Sequence, residues 1–320
     1  MKESETMKLK RWLSRGIVLA MVVALMVPMP VAAKSSSGGK LIKSVTTYNI
    51  SDDGSKWIPS NKATYTYDKK NNPKEVKYLH YTDFIFDTIP TWGYTTTDTF
   101  KFKYKGKTPK SLKVLNDAGF VEETRQYAKG KVAKRCWDNV NIQKNEAGAF
   151  VDNSSHYLGA FAYDKSGFVT VESSVDTYTQ NSAPDGTSEN NYTFFTTQKK
   201  GIPSYMFRAY ASGKYTEANG TVTVYPAEKS GYYETFNGKG LTVQTGWFDA
   251  ESGKYTAYGN VQYVMKKGKV AEAIIFTIGP DGKEKPVTKY VFSYGKTKIS
   301  KARYMKMINA FTSNMPFFWF

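Results

Sequence analysis

Phe100-Lys101-Phe102-Lys103-Tyr104-Lys105-Gly106-Lys107-Thr108-Pro109-Lys110-Ser111-Leu112 is a β-hairpin written out in full. Three aromatics alternate with lysines, a Lys/Gly turn reverses the chain, and a Pro-led segment runs back toward an apolar residue. Side chains on a strand point to opposite faces with period two, so the rings share one surface and the lysines the other. The same plan returns along the chain. Tyr65-Thr66-Tyr67-Asp68-Lys69 leads to Pro73-Lys74-Glu75-Val76, Phe161-Ala162-Tyr163-Asp164-Lys165-Ser166-Gly167 to Phe168-Val169, and Tyr290-Val291-Phe292-Ser293-Tyr294 to Gly295-Lys296.

Turn clusters such as Asn116-Asp117-Ala118-Gly119, Lys129-Gly130, Asn219-Gly220, Lys267-Gly268 and Pro280-Asp281-Gly282 separate these runs. Gly, Asn and Asp tolerate the positive φ of tight hairpins, and hairpins join only antiparallel neighbours. The spacing between copies drifts, which excludes a strict solenoid. The expected fold is all-β. It is a large meandering antiparallel sheet of repeated hairpins, twisted, two-layered or curled into a partial barrel, with one face aromatic and the other rich in Thr, Ser and Lys. One short C-terminal helix completes it. Ser300 caps it, Ala302, Met305, Ile308 and Phe311 recur on one side, Lys301, Arg303 and Lys306 lie outside, and Asn314-Met315-Pro316 ends it. The helix reads as a plug on an open end of the sheet, with Phe317-Phe318-Trp319-Phe320 beside it.

Residues 1–33 read as a signal peptide. Lys8, Lys10, Arg11 and Arg15 precede an apolar run over Ile17 to Val27, and Val31-Ala32-Ala33 suits cleavage before Lys34. Residues 34–40 read as a flexible lead-in, and 41–320 as a single elongated antiparallel β domain. No transmembrane span is expected after cleavage. The predicted location is secreted or associated with the cell envelope, in a Gram-positive bacterium. The chain holds a single cysteine, so no internal disulfide is available. Cys136, beside Trp137, reads as a buried thiol.

The net charge of +17 predicts attraction to anionic polymers, such as teichoic acids or acidic glycans, and to no specific nucleic acid. A competing account is that lysines on strand edges keep sheets from pairing with one another. Enzyme signatures are absent. His80 and His156 read as structural or surface residues, and no zinc, phosphate-loop or nucleophile-elbow motif occurs. No catalytic residue, metal site or cofactor is expected. Glu122, Glu123, Glu172 and Glu234 have no spacing that forces the facing pair a glycoside hydrolase needs, which leaves a cryptic hydrolase as the weakest reading. The stronger alternative is a carbohydrate-binding module, with Trp57, Trp92 and Trp247 as flat platforms for sugar rings. Trp137 is a further tryptophan of the same kind.

Thr64-Tyr65-Thr66-Tyr67-Asp68 and Phe161-Ala162-Tyr163-Asp164-Lys165-Ser166-Gly167-Phe168-Val169 resemble tyrosine–aspartate (YD, Rhs-like) repeats of bacterial surface and toxin-shell proteins. The likeness covers two clear copies and a few degraded ones. Most units lack the Asp, the Gly-Arg after the turn is missing, and the chain is too short for a closed shell around cargo. The resemblance implies an exported β-hairpin architecture and carries no catalytic residue onto this chain.

Overall fold

The computed structural model describes residues 37–84 and 91–313, with no side-chain description over 37–38 and 82–97. The strands in chain order are β1 (Ser37–Ile50), β2 (Trp57–Tyr67), β3 (Pro73–Phe84), β4 (Thr91–Lys105), β5 (Thr108–Leu115), β6 (Val121–Ala128), β7 (Lys131–Asn139), β8 (Ile142–Lys144), β9 (Phe150–Asp152) and β10 (Ser155–Tyr163). They continue with β11 (Val169–Gln180), β12 (Ala183–Lys199), β13 (Ile202–Glu217), β14 (Val222–Tyr225), β15 (Gly231–Phe236), β16 (Thr242–Asp249), β17 (Lys254–Lys266), β18 (Lys269–Ile278) and β19 (Glu284–Ser300). A single helix, α1 (Lys301–Thr312), follows.

Around the wall, sequence neighbours pair antiparallel, except that β7 pairs with β10 and β13 with both β14 and β15, and β1 pairs with both β2 and β19, so the sheet closes on itself. It contains 17 strands, but β14 and β15 line the same neighbour, β13, end to end, so the wall is a 16-strand barrel. β8 and β9 form a separate hairpin between β7 and β10. The expected meandering sheet is therefore closed rather than open or partial. Hairpin grammar is the same in both cases, and closure depends on the pairing of the first strand with the last. That contact is nonlocal and leaves no local signature. β1 begins at Ser37, within the stretch read as a flexible lead-in, and Gly39 and Lys40 already lie opposite Ile299 and Lys298. The signal-peptide reading of 1–33 and the terminal aromatics Phe317–Phe320 lie outside the described residues.

The register sorts the side chains. Val45, Ala63, Tyr65, Val76, Tyr78, Phe100, Phe102, Phe292 and Tyr294 point inward and form the main core with helix residues, and Leu112, Val114, Tyr127 and Val132 form a second cluster that Phe100 and Phe102 also touch. Lys62, Lys77, Lys101, Lys113 and Lys134 occupy the alternate, outward positions of β2 to β7. The aromatic-in, lysine-out alternation thus holds on this wall. On the far side, outward aromatics also occur, and Tyr205, Tyr233, Phe248 and Tyr255 pack together there.

A barrel of this width is too broad for wall side chains alone to fill. Helix α1 occupies part of the space. Ser300 is its N-cap, accepting from the Arg303 backbone N–H. Tyr304, Met305, Ile308, Asn309, Ala310 and Thr312 are buried. Ala302, expected inward, is exposed, and Arg303, expected outward, donates to the Asn71 carbonyl. The helix is contacted on several sides rather than one, which widens its buried stripe beyond a simple three-residue spacing. Asn309 is fully buried. It bonds the Gly240 carbonyl at 2.8 Å and the Thr242 N–H at 3.2 Å, tying the helix to the β15–β16 turn. Tyr304 lies flat against Gly39, where no side chain fits.

Candidate functional site: a basic mouth and an aromatic lumen

In an up-and-down barrel, alternate turns lie at the same end. The turns at the helix end are Asp68-Lys69-Lys70-Asn71-Asn72, Lys105-Gly106-Lys107, Lys129-Gly130-Lys131, Asp164-Lys165-Ser166-Gly167, Lys199-Lys200-Gly201, Asn237-Gly238-Lys239-Gly240 and Lys266-Lys267-Gly268-Lys269. Lysine is present in every one. Acidic residues prevail over lysines in the described turns of the opposite end, among them Asp52-Asp53-Gly54, Asn116-Asp117, Asn145-Glu146, Glu217-Ala218, Asp249-Ala250-Glu251 and Pro280-Asp281. The charge of the described turns is thus sorted along the barrel axis.

Between α1 and the wall at the basic end lies a cavity of about 540 Å³. Lys70, Lys107, Lys298, Arg303 and Lys306 line it together with Tyr65, Tyr104, Tyr127 and Asn72, and among the described residues no carboxylate does. Lys306 reaches water in the mouth, but the surrounding wall thins that water. Desolvation, and then Lys131, lowers its pKa. Burial raises Tyr104 above the ordinary tyrosine range, so its hydroxyl is a neutral donor at the cavity wall. Asn72 is itself buried and donates to the Gly106 carbonyl at 3.1 Å, bracing one turn against the next.

The lumen toward the acidic end is polar. Glu123 is held by Arg125 and by Arg135 at 2.8 Å. Burial would raise the Glu123 pKa, but the hydrogen bonds and charges of the two arginines outweigh it, and the net shift is downward. Glu172 accepts from the Tyr157 hydroxyl at 3.0 Å and from Arg208 at 3.3 Å. The Arg208 guanidinium lies 3.7 Å from the Tyr192 ring centroid. Beside it is a cleft of about 330 Å³ lined by Tyr192, Arg208, Tyr210, Tyr225, Tyr232 and Trp247.

The three tryptophans proposed as platforms do not converge. Trp247 is half-buried in this cleft, edge-on to Tyr232 at 4.9 Å. Trp57 is on the outer wall under Lys289, whose Nζ lies 4.9 Å from its ring. The side chain of Trp92 lies outside the described residues. Trp137 projects into the lumen and is 38% exposed. Of the carboxylates, Glu122 accepts from Asn116, Glu123 and Glu172 are bound to arginines, and Glu234 is buried and accepts from Ser313. The aromatic partners of Trp247 come from β12, β13, β14 and β15, a grouping no local motif shows.

No family model and no curated protein matches the chain. Among solved structures, it is similar to a porin-like protein from Bacteroides uniformis ATCC 8492, with 11% identity and a TM-score of 0.39, over 82% of this chain and 99% of the other.

Proposed function

We propose that the barrel is a non-enzymatic binding protein of the cell exterior or envelope that holds an anionic polymer at its helix end. The single observation that carries this reading is the axial sorting of charge, with lysine in every turn at one end and a cationic cavity between them that has no carboxylate among its described lining residues. The competing account of the lysines loses force. Edge protection needs edges, and the barrel wall has closed them. A polymer carrying repeated phosphate, sulfate or carboxylate groups matches a ring of lysines better than a single small anion does, because each turn can meet a separate charge.

The outer wall bears on location. No helix among the described residues is long and apolar enough to cross a membrane, which says nothing of a barrel. A lipid-embedded barrel needs a continuous apolar band outside, and an outward Lys near the bilayer midplane costs about 2–4 kcal/mol. Lys62, Lys77, Lys101, Lys113 and Lys134 interrupt any such band from β2 to β7, which supports a wall that faces water. The reading requires no particular type of envelope, Gram-positive or otherwise.

The test is binding of polyphosphate, and separately of purified teichoic acid, across a salt series. Affinity is expected to fall steeply with ionic strength and to drop when Lys200 and Lys267 are both changed to Gln. Affinity that stays flat with salt, or that survives these changes but falls on Asp249→Asn at the opposite end, overturns the reading. The carbohydrate alternative is favoured by one observation, the Trp247, Tyr232 and Arg208 cleft. It predicts salt-insensitive binding of a neutral oligosaccharide that is lost in Trp247→Ala.

A further inference from the structure

Cys136 is the only cysteine in the chain and His156 one of two histidines. They are 20 residues apart and meet because β7 pairs with β10, where Cys136 lies opposite Leu158 and Asp138 opposite His156. Trp137 and Tyr157 occupy the inward positions, so Cys136, Asp138 and His156 all project from the outer wall. The expected buried thiol is instead half-buried there. His156 and Asp138 are each 46% exposed.

Three side chains with metal-ligating atoms converge here. The Asp138 carboxylate accepts from His156 Nδ1, which keeps the ring proton on that nitrogen and leaves the Nε2 lone pair free. The Cys136 sulfur lies 3.7 Å from Nε2 and 4.0 Å from Nδ1, beside the ring, so the half-exposed imidazole must rotate to aim its Nε2 lone pair at an ion shared with the sulfur. Zinc bonds of about 2.3 Å to sulfur and 2.0–2.1 Å to nitrogen, at a tetrahedral angle, separate the two donors by roughly 3.6 Å. The donor atoms of all three residues lie within 4.8 Å of one another. A carboxylate on the far nitrogen of a ligating imidazole is the usual device for fixing its tautomer and raising its basicity.

We propose that Cys136 and His156 bind a thiophilic divalent cation on the outer wall, with Asp138 orienting the imidazole and water completing the coordination. The thiol proton leaves to solvent as the sulfur binds. Imidazole plus thiolate selects zinc or a neighbouring late transition metal over calcium or magnesium. The same three residues make a poor nucleophilic triad. Burial and then Asp138 raise the thiol pKa, so the reactive thiolate is scarce without a metal. This site is independent of the polymer reading, since it lies on the wall rather than at the basic mouth.

The experiment uses the full chain, metal-free and reduced. Zinc is titrated by calorimetry, and cobalt is added to report a thiolate-to-metal charge-transfer band. One zinc per chain and a thiolate band are expected. Cys136→Ser abolishes both, and His156→Ala abolishes tight binding. Asp138→Asn weakens zinc by roughly 10- to 100-fold while keeping the band. His80→Ala matches the parent. Unchanged circular dichroism in each variant shows that the barrel persists. Zinc affinity unchanged by Cys136→Ser, or a cobalt spectrum with no thiolate band, overturns the site. Full affinity in Asp138→Asn overturns the role given to the carboxylate.

Discussion

The two ends of the barrel use the same turns and differ in what they place on them. Asp68–Asn72, Asp164–Phe168 and Asn237–Leu241 at the helix end share one hydrogen-bond pattern with Asn116–Phe120, Asn145–Ala149 and Glu217–Thr221 at the other. In each, the first residue's N–H bonds the carbonyl four residues on, and the fourth residue has positive φ. Tight two-residue turns also occur at both ends, as Lys129-Gly130, Lys200-Gly201 and Lys267-Gly268 against Asn181-Ser182. Backbone geometry therefore does not dictate the charge. The helix end is also plugged and holds lysines and an arginine without a carboxylate among the described lining residues, whereas the other end opens on paired charges and half-buried rings. A difference that the fold does not require is where function is best sought.

That contrast can be broken first in the polar half. Arg125→Leu leaves Glu123 buried with Arg135 alone, and loss of one partner from a buried charge cluster costs about 3–5 kcal/mol. Urea unfolding measures it. Glu123 also has a folded-state pKa below its ordinary value, so its contribution is present above the unfolded pKa and is lost as pH falls through the folded one. Stability of the parent should fall in acid more steeply than that of Glu123→Gln. Equal acid sensitivity would show that the cluster does not control this half.

The plugged half is tested by Ile308→Ala. Ile308 is fully buried between helix and wall, and truncation should cost about 2–5 kcal/mol. If α1 were only laid on the rim, the loss would be below 1 kcal/mol, and the helix would be an accessory rather than part of the core.

Much of this architecture is legible in the residues. Phe100, Phe102 and Tyr104 announce the inward face, Lys101 and Lys103 the outward one, and Ser300 the helix start, because each is a local choice with period two or a cap. What the chain does not display locally is contact across distance. Val45 opposite Phe292 closes the barrel from residues at opposite ends of the sequence. Lys70, Lys107 and Arg303 reach one cavity from three separate hairpin or helix positions. Cys136 and His156 meet only through the β7–β10 register. The Tyr-Asp pairs show the converse case. Asp68 and Asp164 accept backbone N–H groups of their own turns, just as Asn116 does, so turn chemistry by itself accounts for the Asp at those positions.

The smallest expected effect separates charge from conformation most directly. Lys129, Lys200 and Lys267 have φ of 51°, 53° and 49°, a left-handed region that costs an ordinary L-residue about 1–2 kcal/mol and that Asn tolerates better. The equivalent turn at the acidic end uses Asn181. Lysine is thus placed where local stability prefers another residue, at the end where lysine recurs. Lys200→Asn should therefore raise unfolding stability by roughly 0.5–1 kcal/mol, on the scale of other relieved backbone strain. The same change should reduce affinity for polyphosphate and flatten its salt dependence. Asn181→Gly at the other end should leave that affinity alone. A Lys200→Asn variant that is both no more stable and no weaker in binding would mean that neither strain nor charge at this turn was under selection, and the asymmetry of the two ends would lose its strongest local argument.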